Sequence, residues 1–183
     1  MGKLIVIRGA TGSGKSSVAN YLHNNLEADS VLLPQDVFKI DIAKDNPLLH
    51  QAVLNALEES AKEFLAVESV VIVEGVLSKK HWHDMINRLA ANNESHIFFL
   101  SASLETSIKR ASQRDKSSIL SENDVRQFHP KSIPMGLLNE VIIDVDNTTV
   151  EVVAKIIAQN CSLEIKNRQP KAKLFSNSFI PER

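Results

Sequence analysis

The chain has 183 residues, which fits one domain with a sizeable core, and its 43% hydrophobic and 23% charged residues are ordinary for a globular protein. A net charge of -1 with only 5% aromatic residues argues against a nucleic-acid partner, because a dedicated nucleic-acid binder is clearly basic. The single Cys161 cannot close an internal disulfide. No run approaches the roughly 18 apolar residues that span a bilayer, so a cytoplasmic protein with no membrane partner is expected.

The first apolar run, Leu4 to Arg8, reads as a short buried strand. It passes directly into Gly9-Ala10-Thr11-Gly12-Ser13-Gly14-Lys15-Ser16, which matches G-x-x-x-x-G-K-[ST] in full. Glycines lack a Cβ, so the backbone there can curl and turn several N–H groups onto a phosphate. Lys15 would bring a cation to the β- and γ-phosphates, and Ser16 a hydroxyl to Mg²⁺. From Ser17 to Leu26, apolar residues at Val18, Tyr21, Leu22 and Leu26 predict a helix, whose N-terminus adds partial positive charge at the same place. Gly9 to Ser17 are therefore the expected nucleotide-binding residues, on a loop open to solvent.

Downstream the pattern alternates. Val31 to Leu33 predicts a second strand and Asp36 to Ala43 a helix. Pro47 opens another helix, with an apolar face running from Leu48 to Leu65. Val70 to Val73 is a buried strand, Lys79 to Ala91 a helix capped by Ser78, His96 to Leu100 a fourth strand, and Leu104 to Gln113 a helix capped by Ser103. Ser121 and Asp124 have capping-box spacing. Val141 to Val145 is a fifth strand, followed by a helix, Val150 to Gln159, capped by Thr148 or Thr149. Strands alternating with helices predict an α/β protein with a parallel sheet and helices on both faces. From Glu164 to Arg183 there are two prolines, little periodicity, and five basic residues against two acidic ones. Residues 1–160 thus form the expected domain and 161–183 a C-terminal tail.

Three groups could complete a phosphoryl-transfer site. Asp36 follows the second strand, where the carboxyl ends of parallel strands share a crevice, and could take a proton from a substrate hydroxyl or act through magnesium. It also stands where a helix N-cap would. Glu74 ends the apolar run Val70 to Val73, and a carboxylate in that setting calls for a partner, Mg²⁺ or its water being the natural one beside the P-loop. Gly75 leaves the backbone clear at the same edge. Arg110 and Arg114 lie four apart on one helical face and lead into a polar stretch, as in a lid spanning about residues 110–126 that closes over the transferring phosphoryl group. Lys39 and Arg126 are further candidates for touching substrate. His81-Trp82-His83 lacks a metal-site pattern, since histidines at i and i+2 point in different directions, and Trp82 reads as packing.

On these residues the chain resembles the small P-loop kinases of the nucleoside-monophosphate-kinase-like group. It is nearest in layout to the compact branch that includes chloramphenicol phosphotransferase and the gluconate- and shikimate-kinase-like enzymes. The resemblance covers about residues 1 to 160. It rests on Gly9 to Ser16, Asp36, Val73-Glu74-Gly75, the arginines of Leu104 to Arg114, and Val141-Ile142-Ile143-Asp144. It implies a three-layer P-loop NTPase fold with a five-stranded parallel sheet in the order 2-3-1-4-5. It also implies an aspartate after strand two as base or magnesium-linked group, and lid arginines on the phosphates. The chain departs from the shikimate-kinase-like Asp-x-Asp pair, because Pro34 and Phe38 occupy the flanking positions around Asp36. It lacks the Asp-Gly-x-Pro-Arg signature of adenylate-kinase relatives, and zeta-toxin kinases are usually longer. The expected function is an ATP- and Mg²⁺-dependent kinase acting on a hydroxyl of a small molecule. Lys15, Asp36, Arg110 and Arg114 would be catalytic, and Ser16, Asp36 and Glu74 would serve the metal. The alternatives are a kinase for a nucleoside or a nucleic-acid 5′ end, and a slow nucleotide-dependent switch.

Overall fold

Leu4 to Ile7 have no solvent exposure at all, which a strand achieves only with a partner on each side and a layer on each face. The structure, a computed structural model, describes residues 2–113, 121–137 and 139–166. In it β1 (Lys3–Gly9) pairs in parallel with β3 (Val70–Gly75) and with β4 (Glu94–Ser101). β2 (Ser30–Pro34) and β5 (Glu140–Asp144) complete the sheet at its edges, giving the order β2-β3-β1-β4-β5. This is the strand order that the family resemblance implied.

The two-residue period of β1 sorts its side chains between two cores. Leu4 and Val6 join α2 (His50–Ala66) and α3 (Lys79–Ala91) through Leu57, Ala61, Trp82, Met85 and Ile86. Ile5 and Ile7 join α1 (Lys15–Asn25) and α6 (Val150–Asn160) through Val18, Leu22, Ala154 and Ile157. Helices therefore cover both faces. α4 (Leu104–Ser112) and α5 (Glu122–Phe128) lie between β4 and β5 in the chain. No helix among the described residues is long and apolar enough to cross a membrane.

Side-chain caps mark the starts of α4, α5 and α6. Ser103 Oγ accepts from the Thr106 amide, Thr149 from that of Val152, and Ser121 with Asp124 forms a full capping box. Ser78 holds the N-cap position of α3 but its side chain makes no capping bond. Two stretches differ from the periodic reading. The helix after Asp36 is a π-helix, Val37–Ile42. The helix expected from Pro47 starts as a single 3₁₀ turn, Pro47–Leu49, because the Asn46 side chain takes the Leu48 amide at 3.0 Å; α2 begins only at His50. The start of the expected tail packs on the domain. Cys161 is buried, the Lys166 amide bonds Asn25 O at 2.7 Å, and Leu26 bridges Ile165. Residues 167–183 lie outside the described residues.

α2 and α3 are also tied electrostatically. Arg88 donates from Nε and Nη2 to the two oxygens of the buried Glu58 carboxylate at 2.9 and 2.6 Å. That bond, with Lys62 assisting, outweighs burial and brings the carboxyl down to about 2. A carboxylate whose folded pKa lies below its unfolded value, about 4.3, stabilises the fold above that value, and the contribution is lost as pH falls towards the folded one. Stability should therefore drop between about pH 5 and pH 2, and Glu58→Gln should flatten that drop while lowering stability at neutral pH. Urea unfolding across this range measures both.

Candidate active site

At its carboxyl end β1 opens into a loop that is held by close backbone approaches. Gly12 has φ +84°, and a Cβ there would lie 2.3 Å from the carbonyl oxygen of Ser107 in α4. Gly14 is the N-cap of α1 at φ 89°, with no side chain to occupy the first amides of the helix. A helix start without a side-chain cap suits an anion such as phosphate, which the helix N-terminus favours. The hydroxyl of Ser13 is buried without a partner among the described residues, as expected of a loop shaped around a polar group it does not itself contain. α1 starts at Lys15, earlier than the spacing of apolar residues indicated. Lys15 was expected on an open loop; it is instead 6% exposed, because it forms part of the first helical turn over the sheet edge.

Strand register brings the carboxylates to this loop. Ile7 of β1 and Pro34 of β2 both lie opposite Glu74 of β3. Glu74 is buried and its Oε2 accepts from Ser16 Oγ at 3.1 Å, so the loop's hydroxyl and the strand's carboxylate do meet. Asp36, two residues beyond Pro34, is exposed at the N-cap position of the π-helix, but its carboxylate does not cap the helix. The capping explanation for Asp36 thus falls away. Lys39 pairs with Asp45 at 3.0 Å, both exposed.

Arg110 reaches the loop from α4. Its Nη1 donates to Ser13 O at 3.3 Å and its Nη2 to Val145 O at 2.7 Å. It lines a cleft of about 360 Å³ with Gly12, Gly14, Gln113, Val150 and Val153. Arg126 is held by Glu122 on its own helix and lines a different cleft, with Leu104, Glu105 and Ile108. Arg114 and residues 115–120 of the expected lid lie outside the described residues. On the Asp36 side, Lys39, Asn46, Pro47, His50, Val53 and His81 surround a second cleft of about 430 Å³. His50 and His81 meet edge to face with ring centroids 4.7 Å apart. Burial first, then the charges of His50 and Lys80, hold His81 below the usual imidazole range. His83 instead bonds Asp84 and Asn87, and Trp82 is buried in the core.

Two polar residues escaped the sequence reading. Gln35 is buried, and its Oε1 accepts from the Leu77 amide at 3.2 Å. It occupies the space above Gly75, where a Cβ would come within 2.4 Å of Oε1. Gly75 is thus cleared for Gln35. Arg8, the last residue before the loop's first glycine, is 1% exposed and pairs with Glu140 at 2.7 Å. The only sequence signal was a charged side chain within a strand, and its partner lies far away in the chain.

The family model described as Zeta toxin matches residues 2–179. No curated protein matches. Among solved structures, an unliganded sugar kinase from Janibacter sp. HTCC2649 superposes with a TM-score of 0.68 at 15% identity, over 87% of this chain and 94% of its own. A gluconokinase from Sinorhizobium meliloti 1021 gives 0.63 at 20%, over 88% and 94%. The tunicamycin resistance protein of Deinococcus radiodurans gives 0.64 at 19%, over 92% and 100%. At these identities the likeness is one of fold, and the fold is that of small P-loop kinases.

The contact between Gly12 and Ser107 makes Gly12→Ala a sharp probe. It meets both left-handed strain and a backbone clash, so it should cost more than the 1–3 kcal/mol of strain alone and weaken nucleotide binding by about tenfold or more. Gly136→Ala is the control: its φ is +69° but a Cβ would meet nothing within 4 Å among the described residues. It should cost only about 1–2 kcal/mol. Urea unfolding and calorimetry of both variants read the difference.

Proposed function

Because the chain belongs to the Zeta toxin family, we propose that it is a kinase that moves the γ-phosphate of ATP to a hydroxyl of a small molecule, with Mg²⁺. The observation that carries this reading is the strand register. It sets Gly9–Ser16, Glu74 and the uncapped carboxylate of Asp36 at the carboxyl edge of three adjacent strands. In the reaction the acceptor oxygen forms a bond to the γ-phosphorus, the bond from that phosphorus to the bridging oxygen breaks, and ADP leaves with the electron pair. The hydroxyl proton passes to Asp36.

The other roles follow from position. The amides at the start of α1 and the ammonium of Lys15 hold the phosphates, with Gly9, Ala10, Thr11, Gly12, Ser13, Gly14, Ser16 and Ser17 forming the cradle. Ser16 Oγ and Glu74 are hard oxygen donors already in contact and suit Mg²⁺. A bound ion would neutralise phosphate charge there. The nucleoside takes the cleft beside Arg110 and Gln113, and Arg110, tied to the loop by Ser13 O, presents its charge next to Gly14. The acceptor takes the cleft bounded by Lys39, His50 and His81, while Arg126 lines another cleft.

The test is a transfer screen with labelled ATP over sugars, nucleosides, antibiotics and oligonucleotides. A labelled small molecule supports the reading; label on oligonucleotides alone, or ADP release with no labelled acceptor, rejects it. Lys15→Ala should fold and abolish turnover, as checked by circular dichroism and ADP release. Asp36→Asn should keep Mg·ATP affinity within about threefold and cut transfer by roughly 10²–10⁴-fold, the range for lost general-base catalysis. Wild-type transfer by that variant would sink the role of Asp36.

A further inference from the structure

Arg8 is among the largest fully buried side chains, yet it carries a charge and sits one residue before Gly9. Each end of its guanidinium is used. Nη1 pairs with Glu140 at 2.7 Å, Nη2 donates to Ile133 O at 3.0 Å, and Nε lies 3.4 Å from Leu77 O. The ring of Phe99 lies 5.0 Å beneath it. Burial lowers its pKa, while the bond to Glu140 and the charge of Glu140 act the other way. The second oxygen of Glu140 takes the Gly136 amide at 3.0 Å. Leu77, the other end of the network, is a buried non-glycine residue in the left-handed region, at φ +42°. Its amide is held by Gln35, the residue before Asp36, and its carbonyl lies within reach of Arg8.

One polar network thus runs along the site's inner edge from the Asp36 end of β2, through the turn after β3 and the end of β1, to the segment Ile133–Gly136 that follows α5. A charge pair that served stability alone could be replaced by apolar residues of similar volume, often with no loss. A guanidinium with partners in two loops and at the start of β5 fixes their relative positions as well, because its donors are in a rigid fork. Holding a nonglycine residue in a left-handed turn between two of its members is strain of the kind found where a site's geometry is imposed.

We infer that Arg8 is a positioning residue: through Leu77 and Glu140 it locks the nucleotide loop to the Asp36 strand end and to segment Ile133–Gly136, so that these move as one body when nucleotide binds. This rests on the reading of Gly9–Ser16 as the nucleotide site. Arg8 touches no substrate and acts through the groups it holds.

Amide hydrogen exchange of the whole chain, with and without saturating Mg·ATP, tests it in peptides covering Leu77 and Ile133–Leu137. In the wild type Mg·ATP should slow exchange in both peptides by about tenfold. The double variant Arg8→Met with Glu140→Leu should fold, bind Mg·ATP within about threefold of wild type, and lose that slowing. A merely structural strut would change exchange in the free protein and leave the response to Mg·ATP intact. Should the double variant not fold, Arg8→Lys keeps a charge opposite Glu140 without the fork, and should lose more than half of the slowing. Slowing retained in the variant that folds, or absent in wild type with Mg·ATP bound, overturns the inference. Absence of Mg·ATP binding by the wild type instead overturns the nucleotide reading beneath it.

Discussion

A strand with parallel partners on both sides has every backbone group committed, so its chain can only be put to use where it leaves the sheet. β1 is such a strand, and the site begins where it ends. Because β3 and β4 flank it in register, whatever follows Gly9 is surrounded by the ends of its neighbours. Glu74 arrives from one side, and Ser107 of α4 presses from the other. The loop must therefore be thin. A side chain at Gly12 would displace α4, and one at Gly75 would displace Gln35. Small residues at this edge answer to the packing of the protein as much as to a ligand.

The polar groups at that edge fall into two sets. Arg8, Glu140 and Gln35 spend their hydrogen bonds on the protein. They keep charge and amide groups satisfied in a buried layer, where leaving one unmet would be costly. Asp36, whose carboxylate does not cap its helix, and the Gly14 N-cap, which has no side chain, form the second set. A bound nucleotide and an acceptor would meet the second set, and its geometry is only as good as the first set makes it.

What could be read from the chain follows from the range of each interaction. The P-loop, the five strands and the caps at Ser103, Ser121 and Thr149 are local patterns, and the structure has them. The nearness of Glu74 to Ser16 was legible because a parallel sheet aligns carboxyl ends. The burial of Lys15 was not, since apolar spacing marks a helix only from its first apolar face residue. Nor was the π-helix after Asp36, whose sequence Val37–Ile42 suits an ordinary helix as well. The Arg8–Glu140 pair was hidden by a separation of 132 residues, over which no periodicity carries information. The two carbonyls that hold Arg110, Ser13 O and Val145 O, are backbone atoms and leave no trace in residue identity. Length misled in its own way: zeta-toxin kinases are usually longer, yet the family match runs through residues 2–179 of 183.

The position of β1 also governs how the chain is made. It leaves the ribosome before its partners, Val70–Gly75 and Glu94–Ser101, so a strand whose residues Leu4 to Ile7 end up fully buried must wait for about a hundred residues to emerge before both its edges are covered. At 5–20 residues per second that is roughly 5–20 seconds of exposure. Pairings so distant in sequence also close slowly once the chain is complete. Over that interval the nucleotide loop is a glycine-rich tether on an unpaired strand, so the segment that defines the site is also the one most open to misassociation with another nascent copy. Folding of this protein should be limited by the docking of β3 and β4 onto β1, and the nucleotide loop should take shape late although it is made before both of those strands.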